Sequence, residues 1–163
     1  MSVLVSNRKE SKFEVIVFSL ELHRMLIELI QRDFGVKDLD QLVRVRYASG
    51  KDETENFSRY RYLMRRSKDR VDQEAALITS NLRGANAIYP KTLHEYECRR
   101  DYQNYAIAHC EILMKELQHV VEVFDVDLNT YNRYVNAIDR EIGLIKKWRQ
   151  RDNKIKSRLQ GNA

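Results

Sequence analysis

The sequence has 163 residues, of which 43% are hydrophobic and 33% are charged. This length matches one domain, and the apolar content is sufficient for one core. Five glycines and a single proline provide few of the turns that a many-stranded sheet needs, so the composition favours helices. The net charge of +5 is compatible with an acidic partner such as nucleic acid, although many proteins that bind none have a similar balance.

The two cysteines and the first apolar stretch indicate the compartment. Cys98 and Cys110 are expected on one helix about 18 Å apart, which is too far for a disulfide between them. We therefore expect reduced thiols in a cytoplasmic protein. The first apolar stretch, residues 13–20, is soon followed by Glu21 and Arg24, so neither an export signal nor a membrane span is predicted.

The first predicted helix spans about residues 12–34. Ser11 and Glu14 have the spacing of a capping box at its start, and Gly35 is placed to end it. Its apolar positions recur at helical spacing: Phe13, Ile16, Val17, Leu20, Ile27, Ile30 and Phe34.

Residues 36–55 are predicted to be an insertion or long connection, because a short apolar stretch precedes Ser49, Gly50 and several charged residues. A long second helix follows, and Pro90 is expected to stop it. Its apolar positions are Phe57, Tyr60, Met64, Val71, Ala75, Ile78, Leu82, Ala85 and Tyr89.

Two more helices complete the pattern. Thr92 and Glu95 form a second capping-box spacing, which begins a helix that runs to about Phe124. Its apolar face comprises Tyr96, Ala106, Cys110, Leu113, Met114, Leu117, Val121 and Phe124. After a polar turn at 125–129, the fourth helix presents Tyr131, Tyr134, Val135, Ile138, Ile142 and Ile145.

Four amphipathic helices predict an all-α fold, because one bundle is the simplest way to bury four apolar stripes. We expect an antiparallel up-down four-helix bundle with the long connection between helices 1 and 2. The predicted domain covers residues 1–152, with 36–55 as the insertion, and residues 153–163 are predicted to be a basic C-terminal tail.

The fourth helix carries a row of cations opposite its core face: Arg133, Arg140, Lys147, Arg151, Lys154 and Arg158. Asp139, Glu141 and Asp152 fall on the flanks of this row. A row of roughly 37 Å could follow a phosphate backbone, with counterion release adding affinity. The alternative is an ordinary solvated outer face.

A second apolar line on the fourth helix predicts a contact surface. Ala137, Leu144, Trp148 and Ile155 are turned from the core face by about a third of a revolution. We expect Leu144, Trp148 and Ile155 to be exposed and to form an oligomer interface, unless a loop from the insertion covers them. Gly143 would permit close packing against another helix.

The second helix contributes the densest cationic segment, and its arginines Arg59, Arg65, Arg66 and Arg70 are candidate nucleic-acid contacts. Tyr60 and Tyr62 lie among these arginines and could stack on single-stranded bases. The apolar pattern already assigns Tyr60 to the core, while the role of Tyr62 stays open.

The sequence predicts no catalytic, cofactor or metal site. Glu116 and His119 form a single Glu-x-x-His, whereas di-iron bundles need two such motifs. There is also no Gly-rich phosphate loop, no Cys-x-x-Cys, and no Ser, His and acid set at a recognisable elbow.

Two stretches resemble a known family. Residues 131–148, with Tyr134, Glu141, Gly143 and Trp148, are similar to the C-terminal signature of the accessory variability determinant proteins of diversity-generating retroelements. That family is related to the four-helix proteins encoded in 23S ribosomal RNA insertions, whose Ser-Asn core resembles residues 78–82. The chain departs from the family at Lys146 and Lys147, where relatives often have glycines, and in its long connection at 36–55.

The resemblance implies a non-catalytic homo-oligomer, commonly a pentamer, that binds a reverse transcriptase and its template RNA or an RNA/DNA hybrid. The partner enzyme would carry out error-prone cDNA synthesis. The alternative is a stand-alone structural or RNA-binding bundle of the ribosomal RNA insertion type. A helical enzyme or antitoxin-like regulator is a third hypothesis, supported only by the basic charge and the bundle.

Overall fold

The computed structural model describes residues 13–38 and 53–161. Helices make up most of both ranges: α1 (Glu14–Gln31), α2 (Glu53–Ala87), α3 (Leu93–Phe124) and α4 (Leu128–Gly161). A short 3-10 turn, Asp33–Gly35, follows α1, and no strand occurs in these two ranges. The four helices pack against one another, which confirms the predicted all-α four-helix bundle.

α1 contacts α2 and α4, and α3 contacts the same two helices, so each of the four helices packs against two neighbours. On one side of α1, His23 bonds Asp72 of α2 at 2.7 Å. On the other side, the ring of Phe13 packs against Trp148 of α4. The predicted connection at 36–55 falls mostly on residues 39–52, outside the described residues, and α2 already begins at Glu53.

The core face of α1 differs from the predicted one. Val17, Leu20 and Ile27 are exposed. Ile16 is buried as predicted, and the other buried apolar side chains of the helix are Val15, Phe18, Leu22, Leu26 and Leu29. Because α1 is apolar on nearly every side, its sequence allows several faces, and contacts with α2 and α4 select one.

The ends of α1 also differ in part from the prediction. The helix begins at Glu14, with Phe13 at the N-cap and no side-chain cap bond. Ser11 of the predicted capping box lies outside the described residues. At the other end, Gly35 has a φ of +85°. That conformation favours glycine. The helix itself already ends at Gln31, however, so Gly35 closes the 3-10 turn that follows rather than α1.

The predicted faces of α2 and α3 are largely confirmed. The buried residues of α2 include Tyr60, Met64, Val71, Ala75, Ile78, Leu82 and Ala85. Two predicted residues differ. Phe57 is only partly buried, and Tyr89 is 83% exposed because α2 ends at Ala87, before the tyrosine. The capping box of α3 is present, since Thr92 accepts from the Glu95 backbone N–H at 3.2 Å and Glu95 accepts from the Thr92 backbone N–H at 3.0 Å.

The fourth helix continues through most of the predicted C-terminal tail, as far as Gly161. Asn153, the first residue of this segment, accepts a hydrogen bond from the Tyr96 hydroxyl at 3.3 Å, so the segment contacts α3 at its start. Gly143 has open space around its Cβ direction and packs closely against no other described helix of this chain, so its predicted place at an oligomer interface stays a prediction. The close approach is at Gly84 of α2, where an added Cβ would lie 2.9 Å from Cε1 of Tyr102.

Candidate nucleic-acid interface

The second apolar line of α4 is buried within the bundle. Trp148 is 3% exposed, and its ring lies edge-on to Phe13, with centroids 4.8 Å apart. The guanidinium of Arg99 lies 4.9 Å from the centre of the Trp148 ring. Ala137 is also buried, and Leu144 and Ile155 are partly buried.

The prediction of an exposed Trp148 at an oligomer interface is therefore wrong. The physical reason is that α4 contacts both α1 and α3, so its buried arc is wide enough to contain both apolar lines. Truncating Trp148 would remove core packing within one chain. Self-association through the exposed parts of Leu144 and Ile155 stays a prediction.

Two carboxylates predicted on the flanks of α4 lie between the two apolar lines, inside the core. Asp152 is 4% exposed and accepts from Arg99 Nε at 2.8 Å and Nη2 at 2.9 Å, and from Gln103 Nε2 at 2.8 Å. Glu141 is 0% exposed, and neither of its carboxyl oxygens has a hydrogen-bond partner among the described residues. Burial raises the pKa of Glu141 to about 8; the Arg140 charge lowers it and the Glu14 charge raises it further.

The six cations predicted to form one row are all exposed, but the first two are engaged by neighbours. Arg133 stacks on the ring of Tyr134 at 4.6 Å and donates to its hydroxyl at 2.7 Å. Arg140 lies 4.3 Å from the centre of the Phe18 ring and 3.6 Å from a carboxylate oxygen of Glu14. Both guanidinium groups are therefore less free to bind an anion than the sequence suggested.

The other four cations form the distal basic row, defined as Lys147, Arg151, Lys154 and Arg158. Within residues 13–38 and 53–161, none of the four makes an ion pair or a side-chain hydrogen bond. Three of them line a groove of about 550 Å³ together with Glu14, Val15, Leu144 and Gln150. The only carboxylate among these lining residues is Glu14, which already faces Arg140.

The cationic segment of α2 is more heterogeneous than predicted. Arg59, Arg65 and Arg66 are exposed, as is Tyr62, while Tyr60 is buried in the core. Arg70 lies 2.6 Å from a carboxylate oxygen of Glu116, and this hydrogen bond raises the pKa of Arg70. A direct role for Arg70 in holding nucleic acid would require it to exchange this partner.

The two cationic regions adjoin opposite ends of α1. Lys68 of α2 pairs with Asp33, just after α1, whereas Trp148 of α4 packs on Phe13, at its beginning. The 18 residues of α1 separate these levels by about 27 Å. The distal basic row and the α2 arginines are therefore two surfaces, which the sequence could not show.

The structure gives no sign of a metal or membrane site in its described residues. Glu116 of the single Glu-x-x-His motif is bonded to Arg70. No group of three or more His, Cys, Asp or Glu side chains is arranged to hold a metal ion in the part of the chain described. In the same part, every helix is too short or too polar to cross a bilayer.

No family model, curated protein or solved structure matches this chain. The resemblance of residues 131–148 to accessory variability determinant proteins therefore stays a prediction.

Proposed function

We propose that this protein is a non-catalytic nucleic-acid-binding subunit that holds the phosphate backbone of RNA along the distal basic row. The observation that carries this proposal is the absence of ion-pair partners for Lys147, Arg151 and Lys154 within the described residues, although all three line one groove. Cations without protein partners contribute most to the affinity for a polyanion, because they break no ion pair when they bind. Their binding also releases counterions from the nucleic acid.

The shape of the surface supports a strand as the ligand. From Lys147 to Arg158 the row extends along one helix for about 17 Å, so its charges follow a line. The groove beside α1 gives that line a partly apolar wall, formed by Val15 and Leu144. A linear array of this kind suits a repeating phosphate chain better than a single small anion.

We further propose, from the resemblance, that the RNA is the template of a retroelement reverse transcriptase, alone or as an RNA/DNA hybrid. The protein would then bind that enzyme as an accessory subunit, as a homo-oligomer in the cytoplasm, and support error-prone cDNA synthesis. Copurification from the native host tests this extension. Recovery of RNA without a polymerase would favour the stand-alone bundle of the ribosomal RNA insertion type.

The triple variant Lys147→Gln, Arg151→Gln and Lys154→Gln tests the interface. We expect weaker binding to single-stranded RNA and a salt dependence whose slope is reduced by about 2, since each lost contact with single strands removes about 0.7. Fluorescence anisotropy at several salt concentrations measures both quantities, and circular dichroism checks that the helices are intact.

The matched control is Arg83→Gln, Lys146→Gln and Lys156→Gln, which removes the same charge from exposed positions outside the row. We expect this control to keep most of the affinity and slope of the parent. Equal losses in the two triple variants would show that only net charge matters, and would reject the groove as the binding site.

A further inference from the structure

A separate basic pocket lies between α2 and α3. Its volume is about 220 Å³, and its lining includes Arg66, Ser67 and Arg70 from α2 and Lys115, Glu116 and His119 from α3. The distal basic row lies on α4, and none of its residues lines this pocket. The charges of the pocket must therefore be explained on their own.

The pocket contains more positive than negative charge. Its one carboxylate, Glu116, accepts from Arg70 Nε at 2.7 Å, and Arg70 Nη2 lies 2.6 Å from the same oxygen. Arg66 and Lys115 are exposed and have no carboxylate partner in the residues that the structure describes. Three permanent cations against one carboxylate leave two uncompensated positive charges.

The donors suit a small tetrahedral anion. Guanidinium groups and an ammonium group reach the pocket from two helices, and such charge-assisted hydrogen bonds to phosphate oxygens are stronger than neutral ones. Ser67, a buried residue that carries a hydroxyl group, also belongs to the lining. The volume of about 220 Å³ is below the range of about 300–1,000 Å³ typical of pockets for drug-sized ligands.

We propose that this pocket binds a terminal phosphate group, either as inorganic phosphate or as the phosphate at the end of a nucleic-acid strand. A terminal phosphate presents three free oxygens and close to two negative charges near pH 7, which matches the excess charge of the pocket. A phosphodiester within a strand offers only two free oxygens and one charge, so it matches less well. Binding of inorganic phosphate does not depend on the proposed function.

The first test uses inorganic phosphate with the full chain. Thermal unfolding is followed while phosphate replaces chloride at constant ionic strength, and the concentration dependence gives an apparent affinity. We expect the parent to be stabilised, and the double variant Arg66→Gln, Lys115→Gln to bind phosphate about tenfold more weakly or worse. Both changes are at exposed positions, and circular dichroism confirms the fold.

The matched control is Arg59→Gln with Arg65→Gln, which removes two charges from the same segment of α2 without altering the pocket lining. It should respond to phosphate like the parent. The proposal is overturned if phosphate does not stabilise the parent beyond chloride, or if this control loses the response equally.

The second test distinguishes the two sources of phosphate. One oligoribonucleotide is compared with a 5′-phosphate and with a 5′-hydroxyl. If the parent prefers the phosphorylated strand and the double variant Arg66→Gln, Lys115→Gln does not, the pocket binds a strand end. If the parent responds to inorganic phosphate but shows no such preference, the pocket binds the free ion. The triple variant of the distal basic row should bind both strands more weakly yet keep the phosphate response, so failure of either proposal is recognisable.

Discussion

Asp152 and Glu141 are two buried carboxylates on the same helix, and they differ in the hydrogen-bond donors that surround them. Asp152 is held by a guanidinium fork and an amide, both from α3. Glu141 has no hydrogen-bond partner among the described residues, and burial raises its pKa to about 8. The facing helix thus satisfies one buried carboxylate with donors, whereas the other has none in the described parts of the chain and burial raises its pKa.

The largest effect is expected from Arg99→Leu. Removing this arginine leaves Asp152 buried with only the Gln103 amide, and breaking a buried ion pair costs about 3–5 kcal/mol. Urea unfolding at pH 7 measures the loss. A double variant with Asp152→Leu should recover a large part of it, because no uncompensated charge remains. A loss below about 1 kcal/mol in the single variant would contradict the view that this pair is the satisfied one.

A second effect is expected from pH at Glu141. Its folded pKa is about 8, while an exposed glutamate titrates near 4.3. Between these values the folded protein binds a proton that the unfolded chain has released, so this stabilisation is full below about pH 4 and is lost as pH rises through about 8. From pH 5 to pH 8 we expect the free energy of unfolding to fall by roughly 3 kcal/mol through this group.

The variant Glu141→Leu should remove that dependence and be more stable than the parent at pH 8. Urea unfolding at both pH values measures the difference. Asp139→Asn, at an exposed position two residues earlier, is the control and should follow the parent curve. A parent curve as flat as that of Glu141→Leu would mean that the carboxylate finds a partner and resembles Asp152 after all.

The smallest effect is expected from Gln103→Met. Its amide donates to Asp152 at 2.8 Å, but its Oε1 is buried without a hydrogen-bond partner within the described residues. Removing the unsatisfied oxygen offsets only part of the lost hydrogen bond, so we expect the free energy of unfolding to fall by about 1 kcal/mol. The same unfolding measurement checks this value. A loss as large as that of Arg99→Leu would show that the amide, rather than the guanidinium, secures the carboxylate.

Periodicity predicted the fold well where each helix has one apolar face. Tyr60, Ile78 and Leu82 of α2 are buried as expected. Their burial was predictable because the other faces of this helix are mostly polar. In α1 the same reasoning failed, since Val17 and Leu20 are as apolar as the buried residues. Nothing within α1 indicates which side its neighbours will cover.

The sequence predicted which cations of the candidate sites are exposed, but not which carboxylates pair with them. The exposure of Lys147 and Arg151 followed from their place on the helix. The partners of the other cations come from distant parts of the chain, as Glu14 does for Arg140 and Glu116 for Arg70. Sequence spacing along one helix contains no information about such pairs, and for the same reason it placed Asp152 on a flank.

The contact between Gly84 and Tyr102 has a consequence for recognising relatives. Any side chain at position 84 would begin 2.9 Å from the tyrosine ring, so the residue at 84 and the ring at 102 compete for one volume. A descendant that gains a larger residue at the first position should carry a smaller one at the second. Paired change at these two positions would therefore identify chains that share this helix packing, even where other residues have diverged.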